Sequence, residues 1–318
     1  MVSYLIRRLI QSFFVLILVT ILVFAAMRIL PGDPIRMLLT QNQEAEITQE
    51  QINFMRHQYG LDKPLYVQYF IWLDGVFKGD LGRSILNHVP VANEILRRVP
   101  ITLNLGIPAF LLGIILGIPA GIICAVRRGK FIDTLVTTLA NIGITVPVFW
   151  LGFLLVYIFG IHLRVLPVQG YTSPTDNLLL NIKQTVLPII CLALFPIAST
   201  SRQTRSSMLD VMKQDYIRTA WSKGLQERWV VVKHALKNSL IPVVTLSGMG
   251  LSMIMGGAVI VETVFNVPGI GRLAVQSVFS KDYPYVQGVV LFIAIVVIVA
   301  NFLTDIAYGY FDPRIRYN

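Results

Sequence analysis

Charge is what this sequence has least of. Only 14% of its 318 residues are Asp, Glu, Lys or Arg, where a soluble domain carries roughly a quarter. Cysteine is nearly absent: Cys124 and Cys191 both lie in apolar runs and read as buried thiols rather than as a disulfide or a metal pair. His57, His88, His162 and His234 stand far apart with no ligand spacing, so no metal site is expected. No GxxxxGK[ST] phosphate loop occurs, which excludes nucleotide binding of that kind. The apolar runs hold no histidine at depth, no HExxH and no aspartate pair, which argues against an intramembrane hydrolase. They also lack the midplane ionisable residues that an ion-coupled secondary transporter uses.

Long hydrophobic runs, by contrast, dominate. Hydrophobic residues make up 55% of the chain, and several runs reach the about 20 residues needed to span a hydrocarbon core. Six spans can be placed, at about 9–29, 101–125, 134–160, 185–203, 239–261 and 286–307. Each must be helical, because unpaired backbone groups in lipid are too costly. The first run is too long for the core of a signal peptide, and Leu30-Pro31-Gly32-Asp33-Pro34 follows it instead of a small-residue cleavage site, so it reads as a retained helix.

The net charge of +10 sorts by loop. With the N-terminus inside, the inner segments carry 15 Lys and Arg against 6 acids, and the outer ones 12 against 11. The short Arg127-Arg128-Gly129-Lys130 loop is the clearest indicator of orientation. Both termini are therefore expected in the cytoplasm. The basic excess is topological, and no nucleic-acid partner is expected.

Small residues and prolines recur inside the spans, among them Gly113, Gly117, Gly121, Pro147, Pro188, Pro196 and Gly257. They suit close helix contacts and kinks in a bundle that rearranges, though both types are common in membrane helices generally. Asn141, Thr145, Ser199 and Ser252 are polar points within spans. They could line a path or satisfy helix packing. Glu262 and Asp305 sit at span ends, where hydration favours a structural role.

Two loops stand out. Within 204–238 a short helix is expected from Tyr216 to Lys223, with Asp215 as N-cap and Gly224 at the left-handed position after the C-terminus. It would be about 12 Å long, too short to hold in water alone. Exposed Tyr216, Ile217 and Trp221 suit a partner's groove; a helix lying on the lipid surface is the alternative. The outer segment 30–100 mixes eight acids with seven bases and sets Tyr59, Tyr66, Tyr69, Phe70 and Trp72 at helix-like spacing. It is too long for a plain connection and reads as a small folded cap. Gly32 between Pro31 and Pro34 makes a rigid turn or a gate.

The inner loop resembles the cytoplasmic coupling loop of ABC importer permeases. Arg218-Thr219-Ala220, Trp221-Ser222-Lys223 and Gly224 follow its Glu-Ala-Ala, three residues, Gly pattern at the last alanine and the glycine. Asp215-Tyr216-Ile217-Arg218-Thr219-Ala220 with Lys223-Gly224-Leu225 is the variant typical of the dipeptide/oligopeptide/nickel branch. The motifs at 30–34, 59–65, 79–84, 264–271, 282–284 and 312–317 resemble the first of the two permease subunits in that branch, so the similarity runs from end to end.

That resemblance implies an all-α integral membrane protein with the six-helix type I ABC importer transmembrane fold and a long folded outer loop. It implies a first helix at 1–29, an extracytoplasmic domain at 30–100, a permease core at 101–310 and a cytoplasmic tail at 311–318. The chain itself would be non-catalytic and bind no cofactor, with ATP and Mg held by partners. Those partners would be a second permease, two cytoplasmic ATPase subunits and an extracytoplasmic substrate-binding protein, in a bacterial or archaeal cytoplasmic membrane. Asp215 to Gly224 would form the coupling element. Peptides are the implied cargo, with nickel chelates, glutathione and oligosaccharides as alternatives.

Overall fold

The structure, a computed structural model, describes residues 2–29, 32–41 and 48–311, excluding the side chains of 2–5, 40, 41, 245, 247, 249, 251, 253 and 307–311. Leu30, Pro31 and the C-terminal motif from Asp312 lie outside the described residues. Among the described residues the regular structure is helical, with one isolated bridge between Arg83 and Pro90.

Among the described residues, four helices are long and apolar enough to cross a bilayer: α1 (Val2–Ile29), α5 (Val91–Val126), α8 (Leu178–Val211) and α13 (Tyr283–Phe311). Only 17–39% of their most apolar windows is buried within the chain, so most of that surface is left for lipid or neighbouring subunits. The fifth expected span falls inside α11 (Leu236–Val264). Helix α11 continues from α10 (Glu227–Trp229) through π-helical turns at Val230–Ala235 without leaving helical backbone.

The expected straight span 134–160 is corrected. It consists of α6 (Phe131–Thr145) and α7 (Val148–Leu155), the latter extended by π-helical turns to His162, and the two halves are bent by 103°. The cause is local. Pro147 cannot donate to the helix and drives the residue before it out of the helical region, and Val146 has φ −69° and ψ 123°.

The chain divides into two compact units. The first comprises 2–102 and 268–296. The segment that links α1 to α5 does not stand alone in it. Its helices α2 (Pro34–Gln41), α3 (Gln49–Gln58) and α4 (Leu65–Phe77) are too short to enclose a core of their own. Ile35, Leu38, Leu39, Ile52 and Ile85 pack instead with Met27 of α1 and with Tyr283 and Val286 of α13. Phe24 of α1 meets Tyr69 of α4 edge-on at 5.3 Å, and the Tyr69 hydroxyl lies 3.0 Å from Thr20 Oγ1. Asp282, 1% exposed, accepts from the Ser84 hydroxyl and from the amides of Ile85, Leu86 and Tyr285, capping α13 while fixing the 84–86 turn. A second cluster joins Val91 and Ile95 of α5 to Ile270 and Leu273 of α12 (Ile270–Phe279).

The second unit holds 103–267 and 297–311. Gly113, Gly117 and Gly121 repeat every four residues and let α5 lie directly on α8: a Cβ at these positions would meet Pro196 Cβ at 2.6 Å, Thr200 Cβ at 2.8 Å and the Ser201 carbonyl at 2.5 Å. Asp133 and Arg205 join α6 to α8. The loop before α8 is tied down by Asn181, whose amide nitrogen donates to the Thr172 carbonyl at 2.7 Å and to Asn104 Oδ1 at 3.2 Å.

Candidate functional site

The short helix expected in the 204–238 loop is present as α9, Asp215–Ser222. It starts and stops one residue earlier than expected. Gln214, with φ −72° and ψ 149°, holds the N-cap position assigned to Asp215, and Asp215 sits in the first turn, where its charge favours the helix dipole. Lys223 is the C-cap and Gly224 takes φ +78°, the left-handed position foreseen for it.

What holds so short a helix is the chain's own second unit. Ile217 is 0% exposed and Ala220 is 6% exposed; they pack with Met208 of α8, Ala125 of α5 and Val230, Val231 and Ala235 at the base of α11. Ile217 was expected to face outward and does not: it shares a face with Ala220, one turn away, and that face is turned inward. Burying an isoleucine contributes about 2 kcal/mol, enough to offset much of the ordering cost of one helical turn. The Tyr216 hydroxyl accepts from Asn238 Nδ2 at 2.8 Å, a second tie to α11.

The other face is bare. Asp215, Tyr216, Arg218, Thr219, Trp221, Ser222, Lys223 and Gly224 are all exposed, Tyr216 at 44% and Trp221 at 39%. Apart from the Tyr216 hydroxyl, their side-chain bonds stay within the helix: Thr219 to the Asp215 carbonyl at 3.0 Å, Ser222 to the Arg218 carbonyl at 3.0 Å, and Arg218 Nη1 to Asp215 Oδ1 at 3.4 Å. Two aromatic rings therefore stand in the open on a helix whose position is fixed from behind.

The expected path residues do not converge. Ser199 donates to the Pro196 carbonyl of its own helix at 3.2 Å, and Ser252 donates to Asn301 Oδ1 of α13 at 3.2 Å. Asn141 and Thr145 are exposed on one face of α6. Two residues that sequence reasoning passed over complete that face: Thr134 and Thr138 are also exposed, giving a polar stripe at 134, 138, 141 and 145. Its 4-3-4 spacing was the available signal. Glu262, expected to be hydrated, is 0% exposed.

After α1, Gly32, Asp33 and Pro34 build a turn and a cap. Gly32 has φ +118°, Asp33 Oδ1 accepts the Ile35 amide at 3.0 Å, Pro34 opens α2, and Arg56 Nη2 lies 2.6 Å from Asp33 Oδ2. Lys281 crosses directly over Gly32, where a Cβ would meet its Nζ at 1.4 Å. Nearby, His57 Nδ1 at 2.6 Å holds the Asp62 carboxyl below its usual range, and burial raises the Tyr59 phenol.

Comparison with known proteins decides the class. Residues 117–317 match the binding-protein-dependent transport system inner membrane component family, and residues 1–106 match the N-terminal part of such membrane components. The chain belongs to this family. As a permease it is 42% identical, over the whole of both chains, to a putative peptide transport system permease protein of Brucella abortus. It is 38% identical over 99% of both chains to a probable peptide ABC transporter permease protein of Sinorhizobium fredii. It is 40% identical over the full length of both to the glutathione transport system permease protein GsiC of Escherichia coli. The permease also resembles, at 17% and 18% identity, chains of the MetNI methionine ABC transporter in inward-facing conformations, with TM-scores of 0.54 and 0.56 over 69% of this chain and 96% of those. That likeness shows the type I ABC importer transmembrane fold.

Proposed function

We propose that this permease is one half of the membrane channel of an ATP-driven importer that carries di- or oligopeptides into the cell. The other half is a second permease. Two cytoplasmic subunits hold ATP with Mg and hydrolyse it, and an extracytoplasmic binding protein delivers the cargo. Both termini and α9 lie on the cytoplasmic side.

One observation carries the coupling role: α9 is seated through Ile217 and Ala220 in the permease's own core while Tyr216, Thr219 and Trp221 stand uncovered. A helix held on one face and open on the other passes on a push. When ATP draws the partner subunits together, α9 moves, and α8 and α11 move with it because they share its apolar cluster. The bundle then turns from inward-open to outward-open and receives substrate. The stripe at Thr134, Thr138, Asn141 and Thr145 faces the path, since uncharged donors and acceptors suit a peptide backbone and are poorly placed against lipid. On the outer side, Tyr66 and Phe70 of α4, exposed at 67% and 62%, offer the binding protein an apolar landing.

Peptide cargo is supported by the full-length relatives named as peptide permeases. Glutathione, named for another relative, is itself a tripeptide and falls within the same chemistry. The test is uptake of a labelled peptide by vesicles holding the permease with its partner subunits, ATP inside and the binding protein outside. ATP-dependent accumulation that fails when any one component is omitted supports the proposal. Accumulation by the permease alone would overturn it.

A further inference from the structure

The helical run that begins at Glu227 is 38 residues long to Val264, about 57 Å, well beyond the about 30 Å of a hydrocarbon core. Part of it therefore lies outside the hydrocarbon, and the first turns, with Arg228, Lys233 and Lys237 exposed, are the part suited to that. They have two unlike faces. Val230, Val231 and Ala235 are buried in the cluster that holds α9. On the opposite side Trp229 is 54% exposed and Val232 is 60% exposed, with Arg228, Lys233 and Lys237 exposed around them. Arg228 donates through Nε to its neighbour Gln226 at 2.9 Å. An indole and an aliphatic side chain framed by three cations, on a helix that runs on into the membrane, form the pattern of a headgroup-level contact.

We infer that this face binds anionic phospholipid headgroups of the inner leaflet. The charge is complementary, and the helix axis carries the face through headgroup depth before entering the hydrocarbon. Because the reverse side of the same turns packs on Ile217 and Ala220, lipid bound here braces the element that carries α9. The inference rests on the proposed cytoplasmic placement of α9.

The complete transporter, carrying Val232→Cys labelled with a bimane fluorophore, is placed in phosphatidylcholine vesicles containing brominated phosphatidylglycerol or brominated phosphatidylcholine. Native Cys124 and Cys191 are buried and compete little for the label. Quenching by the anionic lipid should exceed quenching by the neutral lipid several-fold, and each of Lys233→Gln and Lys237→Gln should reduce that preference by roughly five-fold. Equal quenching by both lipids overturns the inference, and so does no quenching by either, which would mean that a partner subunit covers the face. Labelling of exposed Lys213→Cys by an impermeant thiol reagent keeps the two readings apart. Reaction only from the outside removes the topology and this inference together, whereas reaction only from the inside with no lipid preference removes this inference alone.

Discussion

Asp133 and Arg205, 72 positions apart, meet in a two-pronged ion pair: Arg205 Nε is 2.7 Å from Asp133 Oδ1 and Nη2 is 2.9 Å from Oδ2. Asp133 is further satisfied by the Gly129 amide at 2.9 Å and the Thr137 hydroxyl at 3.3 Å. Its side chain is only 6% exposed, while that of Arg205 is 29% exposed. The pair therefore fixes the Arg127–Lys130 turn and the start of α6 against α8, the helix that leads into α9.

Removing the arginine leaves the more buried charge without its partner. Arg205→Ala is expected to destabilise the permease by about 3 kcal/mol, near the lower end for a broken buried pair because Arg205 is partly hydrated. Asp133→Asn, which leaves the half-exposed cation instead, should cost less. Thermal unfolding of the purified protein in detergent, compared for the two variants and their double mutant, checks the order. Equal losses in both single variants would contradict it.

The α5–α8 contact depends on small size at three positions. Gly117→Leu would drive a branched side chain into Thr200 and the Ile197 carbonyl, where even a Cβ would stand at 2.8 and 2.9 Å. The expected result is a permease that inserts but unfolds at markedly lower temperature, a loss of about 3 kcal/mol or more. Gly129→Ala, at a site with open space but φ +75°, should cost only about 1–2 kcal/mol. Similar melting temperatures for both variants would contradict the close packing.

Most of the fold was legible because long apolar runs depend on local composition alone. Their interruptions were less so. Pro147 was visible, yet an internal proline kinks some membrane helices, as in α6–α7, and leaves others continuous, as Pro188 and Pro196 do in α8. Which of these happens depends on whether neighbours satisfy the freed carbonyls, which no single segment records. The α9 cap at Gly224 was readable from its residue type, but the direction of Ile217 was not, because an eight-residue amphipathic helix can turn either face to the membrane domain. The Asp133–Arg205 pair joins residues too far apart in the chain for any spacing rule to connect.

The stripe on α6 distinguishes water from lipid as its surroundings. Cysteine at Thr138 or Asn141 in the assembled transporter should react with a charged, impermeant thiol reagent. Cysteine at Leu135, Leu139 or Ile142, exposed at 45%, 56% and 51% on the adjoining apolar face, should not. Replacing Thr138 and Asn141 by Val and Leu should lower peptide uptake by roughly ten-fold, the scale of one or two lost hydrogen bonds, with protein level unchanged. Uniform reactivity along α6 would remove the stripe from the path.

Ala220 and Gly224 separate seating from docking. Ala220 is 6% exposed in the apolar cluster, so Ala220→Phe should overfill it by about 1–3 kcal/mol and tilt α9 away from α8 and α11. Hydrolysis by the partner subunits should then persist while uptake falls. Among the described residues, and its chain neighbours aside, nothing lies within 4 Å of where a Cβ on Gly224 would stand, and its constraint here is φ +78°. Gly224→Ala should therefore be mildly destabilising and largely active. Gly224→Trp adds little strain beyond alanine's within the permease alone, so a further loss of uptake at unchanged thermal stability would require another subunit in that space. Equal uptake by the Ala and Trp variants would mean that the space beside Gly224 stays empty in the assembled transporter, and α9 would then have to engage its partner through Tyr216 and Trp221 alone.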